Sequence, residues 1–136
     1  MDKTIRKVGI AVFKDKKILM ARSKKNAEVF YLPGGKFQPG ESDKDCILRE
    51  CKEELGADII PENLEYLNEF EDVAHGQPEG TMVNIKLYKC ELQSEPAPNS
   101  EIAEIKYFDS ANDQKNLSIL CIHKVFPWLK ENGYIN

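Results

Sequence analysis

The chain has 136 residues, of which 41% are hydrophobic and 31% are charged, as in an ordinary soluble globular domain. Its formal net charge is −4, without a long run of Lys or Arg, which argues against binding to a nucleic-acid polymer or an anionic membrane. No apolar run is long enough to span a bilayer, and the start does not look like a signal peptide. We expect a single cytoplasmic domain over residues 1–136, with its four cysteines reduced and in the core.

The segment before the first pair of glycines predicts three strands. Residues 5–13 carry apolar side chains on both faces, which indicates a central strand. A polar turn leads to residues 18–21 as a hairpin partner, with Arg22 at its end facing the approach to the glycines. Residues 29–32 form a short third strand, which Pro33 stops.

A glycine-rich loop and an acidic helix follow, and the rest of the chain is organised around them. The loop between Gly34 and Gly40 has three glycines and a proline, which suit tight turns and close approach of the backbone to a ligand. Ser42 is the predicted N-cap of the helix, with Asp45 three residues later, and Gly56 ends it.

One face of this helix is crowded with carboxylates. Glu50, Glu53 and Glu54 fall within an arc of about 100°. Arg49 can reach one of them, but a single guanidinium cannot neutralise three carboxylates together with Glu41. A hard divalent cation with oxygen ligands is the natural partner, and the alternative is a solvated acidic face. The neighbouring apolar stripe would pack the helix against a sheet and consists of Ile47, Cys51 and Leu55.

The second half of the chain predicts three more strands and a helix. Residues 64–70 and 81–92 predict strands, the second being the longest, on either side of a flexible hairpin end with a solvated His75. A Ser- and Pro-rich segment then delivers Glu101 and Glu104, and Glu104 enters a strand over 105–108. Residues 117–132 carry a helical repeat that should cover one face of the sheet, with a structural His123 and a kink or restart at Pro127.

The loop and the acidic helix together resemble a known signature. The pattern resembles the Nudix box of the Nudix hydrolases, G-x5-E-x7-R-E-U-x-E-E-x-G-U with U a bulky aliphatic residue. All seven fixed positions match, which by chance is an event on the order of one in 10⁷ to 10⁹ at residue frequencies of roughly 5–10%. The two U positions hold Cys51 and Ala57, a departure that concerns packing rather than chemistry. The seven matching residues are Gly35, Glu41, Arg49, Glu50, Glu53, Glu54 and Gly56.

This resemblance implies a fold and a metal cofactor. The fold is of the α/β (α+β) kind, a Nudix α/β/α sandwich in which a mixed β-sheet lies between the box helix and a C-terminal helix. The cofactor is Mg²⁺ or Mn²⁺. The implied metal ligands are Glu50 and Glu54 as the main ones, the carbonyl of Gly34, and Glu53 either as a further ligand or as the catalytic base.

The resemblance also implies roles around the metal. Arg49 would orient the carboxylates, and Glu41 would hold that arrangement from the helix start. Glu104 lies in a Glu-x-x-aromatic segment that resembles one in which the family places a further metal ligand or base, so the identity of the base stays open. The alternative for Glu104 and for Glu101 is an exposed acid at the edge of a loop. The implied substrate contacts are Gly35, Lys36, Glu101 and Arg22, the last with a solvated strand end as an equal alternative.

The resemblance also implies that the substrate is a small-molecule nucleotide. The family mostly cleaves a nucleoside diphosphate linked to another moiety, and its members are often monomers or homodimers. Two subfamilies carry a marker after the box, a proline for ADP-ribose and a tyrosine for dinucleoside polyphosphates. These positions hold Asp72 and Ala74 here, so neither marker is present. The compact length and the L-P-G-G-K run at 32–36 resemble small mutator-type enzymes, which favours nucleoside triphosphates, oxidised ones included. The alternatives are an ADP-ribose or other nucleotide-sugar pyrophosphatase, and a noncatalytic domain that senses a nucleotide.

Overall fold

The computed structural model describes residues 3–25, 28–74, 77–112 and 114–136, and the expectation for His75 lies outside these ranges. None of the helices in these ranges has the length and apolar character needed to cross a membrane. In chain order the elements are β1 (Lys3–Ala11), β2 (Phe13–Lys14), β3 (Lys17–Ser23), β4 (Gly34–Lys36), α1 (Asp43–Leu55), a 3₁₀ turn (Pro61–Asn63), β5 (Glu65–Val73), β6 (Thr81–Lys89), β7 (Ile102–Phe108), a π-helical turn (Cys121–Val125) and α2 (Phe126–Glu131).

The strands form two sheets. One is a mixed four-stranded sheet in the order β4-β1-β6-β5, in which β1 and β6 run parallel and the other pairs are antiparallel. The other is antiparallel, in the order β2-β3-β7. The expected mixed α+β architecture with two helices is confirmed. The single strand over 5–13 is wrong at its end, because β1 stops at Ala11 and Phe13 pairs with Ile18 in the second sheet.

Strand β1 separates two apolar cores. Val8 and Ile10 face a core that includes Ile47, Cys51 and Leu55 of α1, all fully buried. The predicted apolar stripe of the acidic helix is therefore confirmed. The second core lies on the opposite face and takes its side chains mainly from β3, β6 and the C-terminal helical segment, with Ala11 from the end of β1. Its fully buried members include Ala11, Ile18, Met20, Leu87, Val125 and Leu129.

Both ends of α1 are capped as its sequence predicts. The Ser42 hydroxyl accepts a hydrogen bond from the backbone N–H of Asp45 at 3.1 Å. Gly56 adopts a left-handed conformation with φ 61°, and its N–H donates to the carbonyl of Lys52 at 3.1 Å. These local signals fix where the carboxylate-bearing helix begins and ends.

Three further predictions about elements need correction. Residues 29–32 are not a strand, since only Phe30 and Tyr31 form isolated bridges to other segments. Strand β6 is not the longest, because β1, β5 and β6 each have nine residues. Glu104 does not precede its strand but lies within β7.

The C-terminal helix is divided where Pro127 interrupts its hydrogen bonds. Proline has no N–H to donate to the carbonyl four residues earlier. Just before it, the N–H of Phe126 reaches the carbonyl of Cys121, five residues back, and the chain forms a π-helical turn before continuing as α2. His123 lies on this turn, and its Nδ1 is 2.9 Å from the Asp72 carboxylate of β5. This contact agrees with the structural role expected for His123.

Candidate active site

Two glycines at the edge of the mixed sheet bring the backbone close to the carboxylates of α1. Gly34 has φ +139°, a conformation that favours glycine, and a Cβ there would overlap the carbonyl oxygen of Val8. A Cβ at Gly35 would lie only 2.5 Å from the carboxyl carbon of Glu50. Gly35 therefore makes the room that the Glu50 carboxylate occupies.

Arg49 joins the carboxylates to one another. Its Nε and Nη2 each donate to a different oxygen of Glu41 at 2.8 Å, so the two side chains form a bidentate ion pair. Its Nη1 lies 2.8 Å from Glu50 and 3.5 Å from Glu53, and Nη2 also donates to the carbonyl of Lys36 at 3.1 Å. The guanidinium thus fixes Glu41 and Glu50 relative to the edge strand, while the side chain of Glu53 remains 53% exposed.

The two carboxylates that Arg49 contacts most closely have pKa values shifted in opposite directions. The hydrogen bond from Arg49 lowers the pKa of Glu41 to about 2. Donation to the Glu41 carboxylate in turn raises the pKa of the Arg49 guanidinium further above its usual range. Burial raises the pKa of Glu50, although Arg49 opposes the shift. Glu41 is therefore a fixed anion, and Glu50 is held in a position where its charge is poorly solvated.

Glu54 lies deeper than the other carboxylates of the cluster. Its Oε1 accepts a hydrogen bond from the backbone N–H of Gly34 at 2.9 Å. Burial raises the pKa of Glu54 to about 7, and the nearby charge of Glu50 acts in the same direction. The structure thus places Glu54 at the Gly34 amide and leaves the expected role of the Gly34 carbonyl as a prediction.

Two of the other predicted site residues contact each other. Arg22 of β3 and Glu104 of β7 lie directly opposite in the antiparallel ladder, and the Nε of Arg22 is 2.7 Å from the carboxylate of Glu104. The Arg22 guanidinium also lies 6.0 Å from the centre of the Phe30 ring. No hydrogen bond or ion pair between described residues joins this pair to the Arg49 cluster. The structure therefore brings the sequence candidates together as two groups and not as one.

The remaining candidates, Lys36 and Glu101, are exposed. Lys36 is on the edge strand β4, directly opposite Lys7 of β1. Glu101 immediately precedes β7, and its carbonyl accepts a hydrogen bond from the N–H of Lys24 at 2.8 Å. Its carboxylate is close enough to Tyr31 to contribute to the raised pKa of that phenol.

A cavity adjoins the carboxylate cluster on the other face of the mixed sheet. Its volume is about 160 Å³, and its wall is largely apolar, with Val83 and Ile85 among its side chains. Lys7, Tyr31 and Gly34 line the part of the cavity that lies towards the carboxylates. Burial lowers the pKa of Lys7 against the opposing charge of Glu54, whereas burial and the same carboxylate raise the pKa of Tyr31 to about 12.

Neither Lys7 nor Tyr31 was among the site residues predicted from the sequence. Lys7 shares one face of β1 with Ile5 and Gly9, because side chains alternate along a strand. The signal available in the sequence was therefore a charged residue within a strand that was predicted to be central and apolar on both faces. Tyr31 carried no such signal, since its position depends on the bridge that it forms with Ala21.

The donor set at the glycine edge fits a hard divalent cation. Glu50 and Glu54 supply carboxylate oxygens, the ligands that Mg²⁺ and Mn²⁺ prefer in proteins, and Gly35 leaves the space around Glu50 free of a side chain. Across the described ranges, no three His, Cys, Asp or Glu side chains are already gathered as a preformed metal centre. Glu50 is held by Arg49 and Glu54 by the amide of Gly34.

Comparison with known proteins assigns the family. The NUDIX domain profile matches residues 3–118, and the chain belongs to the Nudix family. The resemblance found in the glycine loop and the acidic helix is therefore confirmed. Enzymes of this family use divalent metal cations, in agreement with the carboxylate donors at the glycine edge.

Individual relatives extend the similarity along the chain. The ADP-ribose pyrophosphatase of Methanocaldococcus jannaschii is 31% identical over 101 residues, which cover 73% of this chain and 58% of that protein. This chain therefore spans less than two thirds of the length of that curated relative.

Two solved structures show the same fold. The E. coli ORF135 protein has a TM-score of 0.72 at 22% identity, over 96% of this chain and 94% of its own. A bifunctional NMN adenylyltransferase/ADP-ribose pyrophosphatase from Francisella tularensis, in complex with AMP and a manganese ion, has a TM-score of 0.68 at 19% identity, over 97% and 42% of the two chains.

Proposed function

We propose that this protein is a pyrophosphohydrolase that requires Mg²⁺ or Mn²⁺ and cleaves a phosphoanhydride bond of a nucleoside diphosphate linked to another moiety. The observation that carries the proposal is the cluster in which Arg49 bridges Glu41 and Glu50 beside a glycine strand that Glu54 also contacts. Hydrolysis of a phosphoanhydride needs little covalent chemistry from the protein. It needs alignment of water, phosphorus and leaving group, together with neutralisation of charge.

The carboxylates divide the work by their positions. Glu50 and Glu54 would hold the cation, because both lie at the glycine edge and are poorly solvated. A bound divalent cation supplies charge neutralisation for the phosphates and lowers the pKa of a coordinated water. Arg49 orients Glu50, and its bidentate contact with Glu41 fixes the position of the guanidinium.

Glu53 is the carboxylate best placed to accept a proton from water. Its side chain is 53% exposed and has only the longer 3.5 Å contact with Arg49, so solvent reaches it. Glu104 is the alternative base, but it would first have to release Arg22, which lies 2.7 Å away. Arg22 would likewise exchange this carboxylate for a substrate phosphate. Exchange of one anion for another leaves the guanidinium paired throughout.

The substrate is best sought among nucleoside diphosphate sugars. The curated relative is named an ADP-ribose pyrophosphatase, which supports that class. The preference for nucleoside triphosphates inferred from the sequence has no support from the relatives described above. The cavity of about 160 Å³ is smaller than the roughly 300–1,000 Å³ of pockets that enclose a whole drug-sized ligand. It would hold one ring system, such as the base, while the phosphates lie at the glycine edge.

A substrate panel tests the function. The purified protein would be incubated with Mg²⁺ or Mn²⁺ and with ADP-ribose, other nucleotide sugars, nucleoside triphosphates or dinucleoside polyphosphates, and the products separated by chromatography. We expect metal-dependent cleavage of one class, with a nucleoside monophosphate among the products. Glu54→Gln should abolish it, whereas Glu62→Gln, which removes an exposed carboxylate in the 3₁₀ turn, should not.

The outcome separates the enzyme from a sensor. Cleavage by the wild type that persists in Glu54→Gln would show that the carboxylate cluster is not the catalytic centre. Binding of a nucleotide without cleavage of any compound, in the presence of metal, would instead support the noncatalytic domain.

A further inference from the structure

The ammonium group of Lys7 is half-buried at the cavity and has no partner among the described residues. It forms no hydrogen bond and no ion pair with any side chain or carbonyl that the structure describes. An ammonium carries three donors and is costly to shield from water unless they are used. Lys7 therefore has donors available to a molecule that enters the cavity.

The charges around Lys7 make this position suited to an anion. Lys36 lies directly opposite in the β1–β4 ladder, so the two side chains project from the same face and repel each other. Glu54 and Glu50 attract Lys7, with Glu54 the stronger, but neither forms an ion pair with it. An anion between the two ammonium groups would relieve their repulsion and occupy donors that no described residue uses.

The glycine edge connects Lys7 to the carboxylates. Helix α1 packs on the face of β1 that carries Val8 and Ile10, whereas Lys7 points to the opposite face, where the cavity lies. Between the two faces, Gly34 and Gly35 present no side chains. A substrate that lies in the cavity and reaches the carboxylates must therefore pass Lys7.

We infer that Lys7, together with Lys36 across the ladder, binds the phosphate that joins the nucleoside to the rest of the substrate. The inference rests on the proposed function, since it assumes that the cavity receives the nucleoside. It assigns Lys7 to substrate binding and leaves the chemical step to the carboxylates. The ammonium group of Lys7 on the cavity face thus complements the metal-binding carboxylates on the helix face. An acidic protein can in this way bind a polyphosphate through positive charge on both faces.

Binding of nucleosides and their monophosphates isolates this contact. Calorimetry would compare the four ribonucleoside 5′-monophosphates with the four nucleosides, without metal, for the wild type, Lys7→Met and Lys7→Arg. Methionine keeps the unbranched shape and most of the length of lysine but loses the charge, whereas arginine keeps the charge. We expect Lys7→Met to weaken the best monophosphate by about 10- to 100-fold, as for a lost hydrogen bond to a charged group, and to leave its nucleoside unchanged. Lys7→Arg should retain much of the affinity.

Lys3→Met is the matched control. Lys3 lies on the same strand and the same face but is exposed at the far end of β1, so its replacement should not change either affinity. Thermal melting would verify that each variant is folded. Equal monophosphate affinity in the wild type and Lys7→Met would overturn the inference. So would an equal loss for nucleoside and monophosphate, because Lys7 would then support the cavity and not the phosphate, or no monophosphate binding by the wild type.

Hydrolysis of the panel substrate distinguishes failure of this inference from failure of the proposed function. If Lys7→Met keeps the wild-type KM while the wild type hydrolyses its substrate, the function stands and the role of Lys7 is wrong. If the wild type binds monophosphates through Lys7 yet hydrolyses nothing, the role of Lys7 stands and the function is wrong.

Discussion

Replacement of Gly35 by alanine would disturb the carboxylate cluster through a single methyl group. The new Cβ would lie 2.5 Å from the carboxyl carbon of Glu50, and ordinary contact begins at 3.4 Å, so Glu50 must retreat by about 1 Å. The backbone conformation of Gly35 does not have a positive φ, and the substitution therefore acts by contact alone. The retreat also disturbs the 2.8 Å contact with Arg49.

This displacement should cost much activity and little stability. A misplacement of about 1 Å in a catalytic site can lower a rate by roughly 100-fold. Overpacking costs roughly 1–3 kcal/mol, and we expect the lower end, because Glu50 can yield towards solvent. The assay is kcat on the panel substrate together with thermal unfolding of the same sample.

Gly40→Ala supplies the matched control. Gly40 has φ +75°, and no atom of the described residues lies within 4 Å of its Cβ position, so alanine there strains the backbone by about 1–2 kcal/mol without touching Glu50. The two variants should therefore lose similar stability, and only Gly35→Ala should lose activity. Wild-type kcat in Gly35→Ala would refute the argument that this glycine makes room for the Glu50 carboxylate.

Three other outcomes follow from the contacts described above. Arg49→Lys should lower kcat by at least about tenfold, because lysine cannot form the bidentate contact with Glu41 and bind Glu50 at the same time. An unchanged kcat would show that the bidentate contact is not needed for catalysis. Tyr88→Phe should lower the free energy of unfolding by about 1–2 kcal/mol without changing kcat, because it removes the 2.6 Å hydrogen bond to Asp43 at the start of α1. Chemical denaturation measures the free energy of unfolding, and the substrate assay measures kcat. The cysteines should react with a thiol reagent at pH 8 only after denaturation, since all are buried and burial raises their pKa; a fast reaction of the native protein would contradict their placement in the core. Those pKa values are about 12 for Cys46, Cys51 and Cys90 and about 11 for Cys121.

The parts of the fold that depend on residues close together in the sequence could be predicted from it. The caps at Ser42 and Gly56 and the apolar stripe of α1 are local signals, and all appear in the structure. The proximity of Arg49 to Glu53 follows from helical spacing in the same way. The helix that carries Arg49 and the three carboxylates of its acidic face could therefore be predicted from the sequence.

The remaining features depend on contacts between distant segments. Arg22 and Glu104 are 82 residues apart, and only the register of β3 on β7 makes them partners. Residues 5–13 are apolar throughout, so their pattern could not reveal that the chain changes sheets after Ala11. The importance of Lys7 likewise depends on the position of β4 at the edge of the sheet, which no local pattern specifies.

Manganese binding followed by electron paramagnetic resonance tests the central claim most directly, because it detects the cation without requiring a substrate. The wild type should bind Mn²⁺, and the double variant Glu50→Gln with Glu54→Gln should bind it at least about tenfold more weakly, while Glu62→Gln binds it as the wild type does. Equal affinity of the wild type and the double variant would contradict the assignment of these two carboxylates as the metal site.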